Sequence, residues 1–197
     1  TAALLNSQPM GFYSTSTIVQ DARRHGIGML PVDISKSDWD CKLERLPGAA
    51  GRDTPPPLAV RLGMRMIRGM QRALAEKISF VRRQQPYKGV VDVMLRGRIP
   101  RSCLLRIGGA GGFRSMGLDR REAIWAIQSL PPVASPLLAP AISIDDPWQG
   151  LPALSEAEEL MEEYESTGVS VVSHPLALIR EELNRRGIPL SSQIMKI

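Results

Sequence analysis

Apolar and polar positions divide the chain into short helical segments separated by Gly and Pro, with a few alternating runs between them. In residues 14–26, STSTIVQDARRHG, a hydroxyl residue precedes Ile18, Val19 and Ala22, and a Gly follows, which predicts a short capped helix with His25 in its last turn. MLPVDIS at 29–35, the alternating SDWDCKLE at 37–44 and LAVRLGM at 58–64 are predicted as short strands. Residues 62–83, LGMRMIRGMQRALAEKISFVRR, show apolar Met64 and Ile67, a break at Gly69 and Met70, and a resumed apolar face at Ala75 and Ile78. This is the pattern of two amphipathic helices joined by a glycine bend. Residues 90–95 and 101–110, the AGGF bend at 110–113 and a helix opened by Asp119 repeat it less regularly, with Gly108 and Gly109 weakening the helix between. Beyond a Pro-rich linker at 131–152, Ser155 and Glu158 form a capping box on a helix with six glutamates over 154–166, and a last helix runs from Pro175 towards Gly187. The fold class expected is mainly α with a few short strands: a tandem helix-hairpin-helix domain plus C-terminal helices.

The bends carry the candidate chemistry. A sharp glycine turn into a helix N-terminus presents unpaired N–H groups and the positive end of the helix dipole, which suits a phosphate. Arg65, Arg68, Arg72 and Lys77 surround the first bend, formed by Gly69, Met70 and Gln71, and Gln71 stands where a second Gly would allow closer approach. In the second unit Gly111 and Gly112 are candidates for close approach, with Arg114 and Ser115 as donors. The same glycines would equally serve a tight helix–helix crossing, and Arg120 and Arg121 read as a charged helix face. The glutamates of the acidic helix read as a solvated face, because adjacent carboxylates such as Glu162 and Glu163 point about 100° apart.

Charge distribution sharpens this picture. The 197-residue chain has a net charge of +5, but residues 58–130 hold 15 Lys and Arg against 4 Asp and Glu, leaving 10 against 16 elsewhere. A segment that basic favours a polyanion, with nucleic acid as the default. Cys41 and Cys103 have no His or Cys at metal-ligand spacing and are expected to be buried apolar residues. No phosphate loop, HExxH helix, GxSxG elbow or aspartate pair on an apolar strand occurs, so neither a catalytic centre nor a metal site is expected within the chain. No run approaches the roughly 20 apolar residues of a membrane span, and no signal peptide opens the chain, so a cytoplasmic location without membrane contact is expected. Thr1 begins inside an apolar helix-like run, as in a piece of a longer protein.

ALLNSQPMGFYS, QDARRHGIGMLPVDI, SDWDC, VRLGMRMIRGM, GGFRSMGLDRREAIWA and EYESTGVSVVSHPLALIR, in that order, resemble consecutive signatures of the error-prone bacterial C-family DNA polymerases, relatives of the DNA polymerase III alpha subunit. The resemblance implies that residues 1–57 are the end of the fingers domain with connecting strands and 58–130 a tandem helix-hairpin-helix region binding duplex DNA. Residues 131–152 would then be a linker, and 153–197 an acidic helix and a C-terminal helix preceding an OB domain. The PHP domain, the thumb and the palm with its metal-binding aspartates would lie outside the chain. For the parent it implies nucleotidyl transfer with Mg²⁺, translesion synthesis, and a sliding clamp and mutasome accessory proteins as partners. Docking of such proteins is the alternative role for the chain itself. Gln71 where the family commonly has Gly, and Gly112 where a larger residue such as Ala is usual, are departures from its pattern.

Overall fold

Three short strands deliver the chain to its first bend. β1 (Gly28–Leu30) runs parallel to β3 (Leu58–Arg61), and β2 (Lys42–Arg45) lies antiparallel on the other edge of β3. Met29 and Leu43 both stand opposite Val60. β3 is therefore central, and the sheet joins residues on both sides of position 58. Its buried Arg61 donates to both oxygens of Glu44, at 2.7 and 2.9 Å, and to the Pro31 carbonyl. That bidentate bond holds the Glu44 carboxyl below the usual carboxylate range.

We describe the chain from a computed structural model that covers residues 1–46, 57–130 and 152–189. Residues 47–56 and nearly all of the expected Pro-rich linker lie outside the described residues. The strands are shorter than the alternation predicts. β1 ends at Pro31, which has no N–H for a ladder, and Asp33 then turns the chain by accepting the Ser35 N–H on its side chain at 2.7 Å.

Nine α-helices are described. α1 (Ala2–Asn6) and α2 (Thr15–Arg24) precede the sheet, and Ser14 caps α2 by accepting the Thr17 N–H. After the sheet come α3 (Arg72–Gln84), α4 (Val90–Gly97), α5 (Arg101–Gly109) and α6 (Arg120–Ser129), followed by α7 (Glu156–Thr167). The expected last helix is split at Ile179, whose φ of −104° and ψ of 11° interrupt it, into α8 (Pro175–Leu178) and α9 (Arg180–Arg185). His174 caps α8 by accepting the Leu176 N–H at 3.1 Å.

One apolar cluster ties these layers together. Leu5 and Val19 from the N-terminal helices, Ile34, Val60 and Met64 from the sheet region, and Ile78, Val93, Leu104, Ile107, Phe113 and Ile127 from the hairpins all belong to it. Both cysteines are buried, as expected, and burial pushes the Cys103 thiol up to about 11.

Candidate nucleic-acid interface

The first hairpin departs from two full helices. Its leading element is a single 3₁₀ turn, Met64–Met66, whose Met64 and Arg65 N–H groups go to the carbonyls of Asp38 and Trp39 and which stops where the backbone of Ile67 becomes extended. The chain is extended at Ile67, reverses at Gly69 with φ +70°, and enters α3 at Gln71. That φ suits glycine, since a Cβ in the left-handed region crowds the backbone. No side chain caps α3 and no acidic residue stands in its first turn. Its leading N–H groups and positive dipole end are therefore open to an outside acceptor.

Around this bend the cations differ in what they touch. Arg68 is exposed and has no ion pair among the described residues, although its backbone N–H donates to the Ser166 carbonyl at 2.9 Å. Arg72 is exposed and paired with Glu76 at 2.7 Å, which raises its pKa. Lys77 donates to the Arg98 carbonyl at 3.3 Å. Arg65 turns away from the bend, bonding Asp40 at 2.8 Å and the carbonyls of Asn6 and Gln8 beside the Trp39 ring. Met70 is buried, its sulfur 3.5 Å from Cys103 Sγ, so it supports the bend from below.

The second hairpin is complete, α5 and α6 about a bend at Gly111 with φ +69°. Here the packing role of the glycines dominates. A Cβ at Gly112 would stand 2.6 Å from Ile107 Cγ2 and 3.1 Å from the Ile107 carbonyl oxygen, and one at Gly108 would press on Ile127 at 3.2 Å. The anion site at the start of α6 is filled from within: Asp119 and Glu122 form a reciprocal capping box with both bonds at 2.8 Å. Ser115 donates to Asp33 at 2.7 Å, and Arg114 is bonded to Glu159 of α7. The two expected phosphate donors thus serve internal contacts.

The acidic helix is correspondingly not a solvated face throughout. Arg120 on α6 is buried, donates to the Gly109 carbonyl at 2.8 Å, and lies 3.6 and 3.9 Å from Glu159 and Glu163. Burial lowers the Arg120 pKa, and the two carboxylates oppose that shift. Glu163 is itself buried and accepts from Ser170 at 2.6 Å, while Arg121 reaches Glu158 at 3.4 Å. Arg120 and Arg121 are thus docking residues for α7, because Glu158, Glu159 and Glu163 of α7 face them.

Two residues at this surface carry no helical or motif signal that marks them. Arg106 on α5 donates to the Arg68 carbonyl at 3.0 Å, and its guanidinium fills the space where a Gly69 Cβ would be. Arg98, after α4, holds a left-handed φ of +47° and is exposed. Both stand in the basic stretch, but only tertiary folding brings them to the first bend and to Lys77.

A helix-hairpin-helix motif family matches residues 26–123, from the sheet through the first hairpin to the opening turn of α6. The chain is 40% identical, over 95% of its length, to error-prone DNA polymerase 1 of Rhizobium meliloti, and 41% over 91% to the error-prone DNA polymerase of Aromatoleum aromaticum. With the Pseudomonas aeruginosa error-prone DNA polymerase it shares 39% identity over 99% of its length. The chain is similar to one segment of the error-prone DNA polymerases. It covers 18%, 16% and 18% of these three relatives, so it corresponds to less than a fifth of an error-prone polymerase. Among the described residues, no group of three His, Cys, Asp or Glu is placed to hold a metal ion, and no helix is long and apolar enough to cross a membrane.

Proposed function

We propose that this chain is the part of an error-prone DNA polymerase that grips duplex DNA through its phosphate backbone, without reading sequence, and that the first bend makes the contact. The observation that carries this reading is the open N-terminus of α3 beside Arg68, which has no ion pair among the described residues, on a helix-hairpin-helix segment similar to named DNA polymerases. Backbone N–H groups and exposed cations neutralise phosphates, whereas base readout requires side chains placed in a groove. In this proposal nucleotidyl transfer, its Mg²⁺ and its use in translesion synthesis during damage-induced mutagenesis belong to carboxylates and domains outside the chain, and the protein works in the cytoplasm. Duplex affinity of the intact protein should fall steeply with salt and equally for unrelated sequences. Affinity indifferent to salt, or confined to one sequence, would overturn the assignment.

A second reading, docking of a clamp or mutasome accessory protein, draws on Met161, Leu176 and Ile179, which are exposed on and beside α7 and α8. It predicts partner binding that depends weakly on salt and is lost when these residues are made polar.

A further inference from the structure

Resting on that DNA-binding reading, we propose that the phosphate cradle at the first bend is composite, with Arg106 from the second hairpin as its second cation. Gly69 turns the chain with φ +70°, and a Cβ there would stand 2.0 Å from Arg106 Nη1 and 2.8 Å from its Cζ. The space that the glycine clears is filled by this guanidinium. Arg106 Nη1 donates to the Arg68 carbonyl at 3.0 Å, which ties α5 to the backbone of the bend. That bond uses one of the five donors of a guanidinium and leaves its charge uncompensated.

No acidic residue stands beside either arginine on the elements that carry them, and what Arg68 meets on α7 is the C-terminal end of that helix: its N–H donates to the Ser166 carbonyl, and its Nη2 lies 3.7 Å from where a Gly168 Cβ would be. α5, RSCLLRIGG, contains no acidic residue, the first turn of α3 contains none, and neither Arg68 nor Arg106 has an ion pair among the described residues. Arg114, Arg120 and Arg121 on the same hairpin as Arg106 are by contrast each within 4 Å of a carboxylate of α7. A phosphodiester placed by the open N-terminus of α3 would accept forked donors from both guanidiniums. Gly69 thus admits a side chain from the neighbouring hairpin, and the two hairpins grip one stretch of backbone as a unit.

The test compares Arg68→Ala, Arg106→Ala and Arg106→Gln in the intact protein, with duplex affinity measured over a range of salt concentrations and a melting curve for each variant. Arg106→Gln keeps a long side chain and a donor for the Arg68 carbonyl while removing the charge. Each variant is expected to reduce the slope of log affinity against log salt by about one unit. An unchanged slope in Arg106→Gln together with a reduced slope in Arg68→Ala would overturn the composite cradle and leave the DNA-binding reading standing. Unchanged slopes in both would overturn that reading as well. If Arg106→Ala lowers only the melting temperature while Arg106→Gln behaves as wild type, Arg106 is a strut and the proposal fails.

Discussion

The two hairpins share a bend geometry and differ in what answers their positive charge. Gly69 and Gly111 both turn the chain with φ near +70°; α3 opens at Arg72, directly after the first, while a 3₁₀ turn at Arg114–Met116 lies between the second and α6. At the second hairpin the answering groups are built in: Asp119 caps α6, Glu159 holds Arg114, and Glu159 and Glu163 lie beside the buried Arg120. At the first, α3 is uncapped and Arg68 has no carboxylate among the described residues. One motif therefore serves two ends. Carboxylates on a neighbouring helix turn one copy into a docking face within the fold, and their absence leaves the other for an external anion.

This contrast can be broken most forcefully at Arg120. Arg120→Ala should destabilise the fold by about 3 kcal/mol, because Glu163 stays buried after losing a cation; denaturant unfolding reads this, and the salt slope of DNA binding should not change. A variant as stable as wild type would show that α7 does not depend on the ion pairs beneath it.

The glycines should part company next. Gly112→Val should cost about 2 kcal/mol, since its side chain would meet Ile107 side chain and backbone in a closed site. Gly69→Ala should cost about 1 kcal/mol for its positive φ, with the Arg106 guanidinium able to swing aside. Thermal melting of the pair ranks them, and a larger loss at Gly69 would reverse the assignment of packing to one bend and ligand contact to the other.

The anchoring of the first hairpin to the sheet region should show in acid. Burial pushes the Asp38 carboxyl up, but the bond and charge of Lys42, with Arg82 adding to them, outweigh it and hold the group below its ordinary value. A depressed carboxyl contributes its stabilisation in full above its unfolded pKa and loses it as pH falls through the folded value. Asp38→Asn should therefore flatten the stability profile below about pH 4, as measured by denaturation at a series of acid pH values. An unchanged profile would mean that the Asp38 contacts with Lys42 and Arg82 contribute nothing to stability.

Smaller effects sharpen the comparison at the DNA surface. Glu159→Gln should release Arg114 and raise duplex affinity modestly at low salt, since a carboxylate competing with phosphate is removed. Arg72→Ala should reduce the salt slope less than Arg68→Ala, because Glu76 already partners Arg72. Equal slopes for the two would show that the Glu76 pair opens on the DNA.

Much of the fold was legible in the chain. Ser14, Asp119 and Ser155 mark helix starts because a cap is a bond between near neighbours, and each forms as its local pattern predicts. The glycine bends, the basic stretch and the resemblance to error-prone polymerases likewise lie in contiguous residues. What the sequence could not determine is which charges meet across distance. Arg106 and Gly69 are 37 positions apart, and Glu159 and Arg114 are 45 apart. Local periodicity makes the α7 glutamates look solvated and hairpin-two arginines look available. Tertiary packing places them against each other and leaves Arg68 outside that arrangement, because the partners of long charged side chains are set by which helices the apolar core brings together.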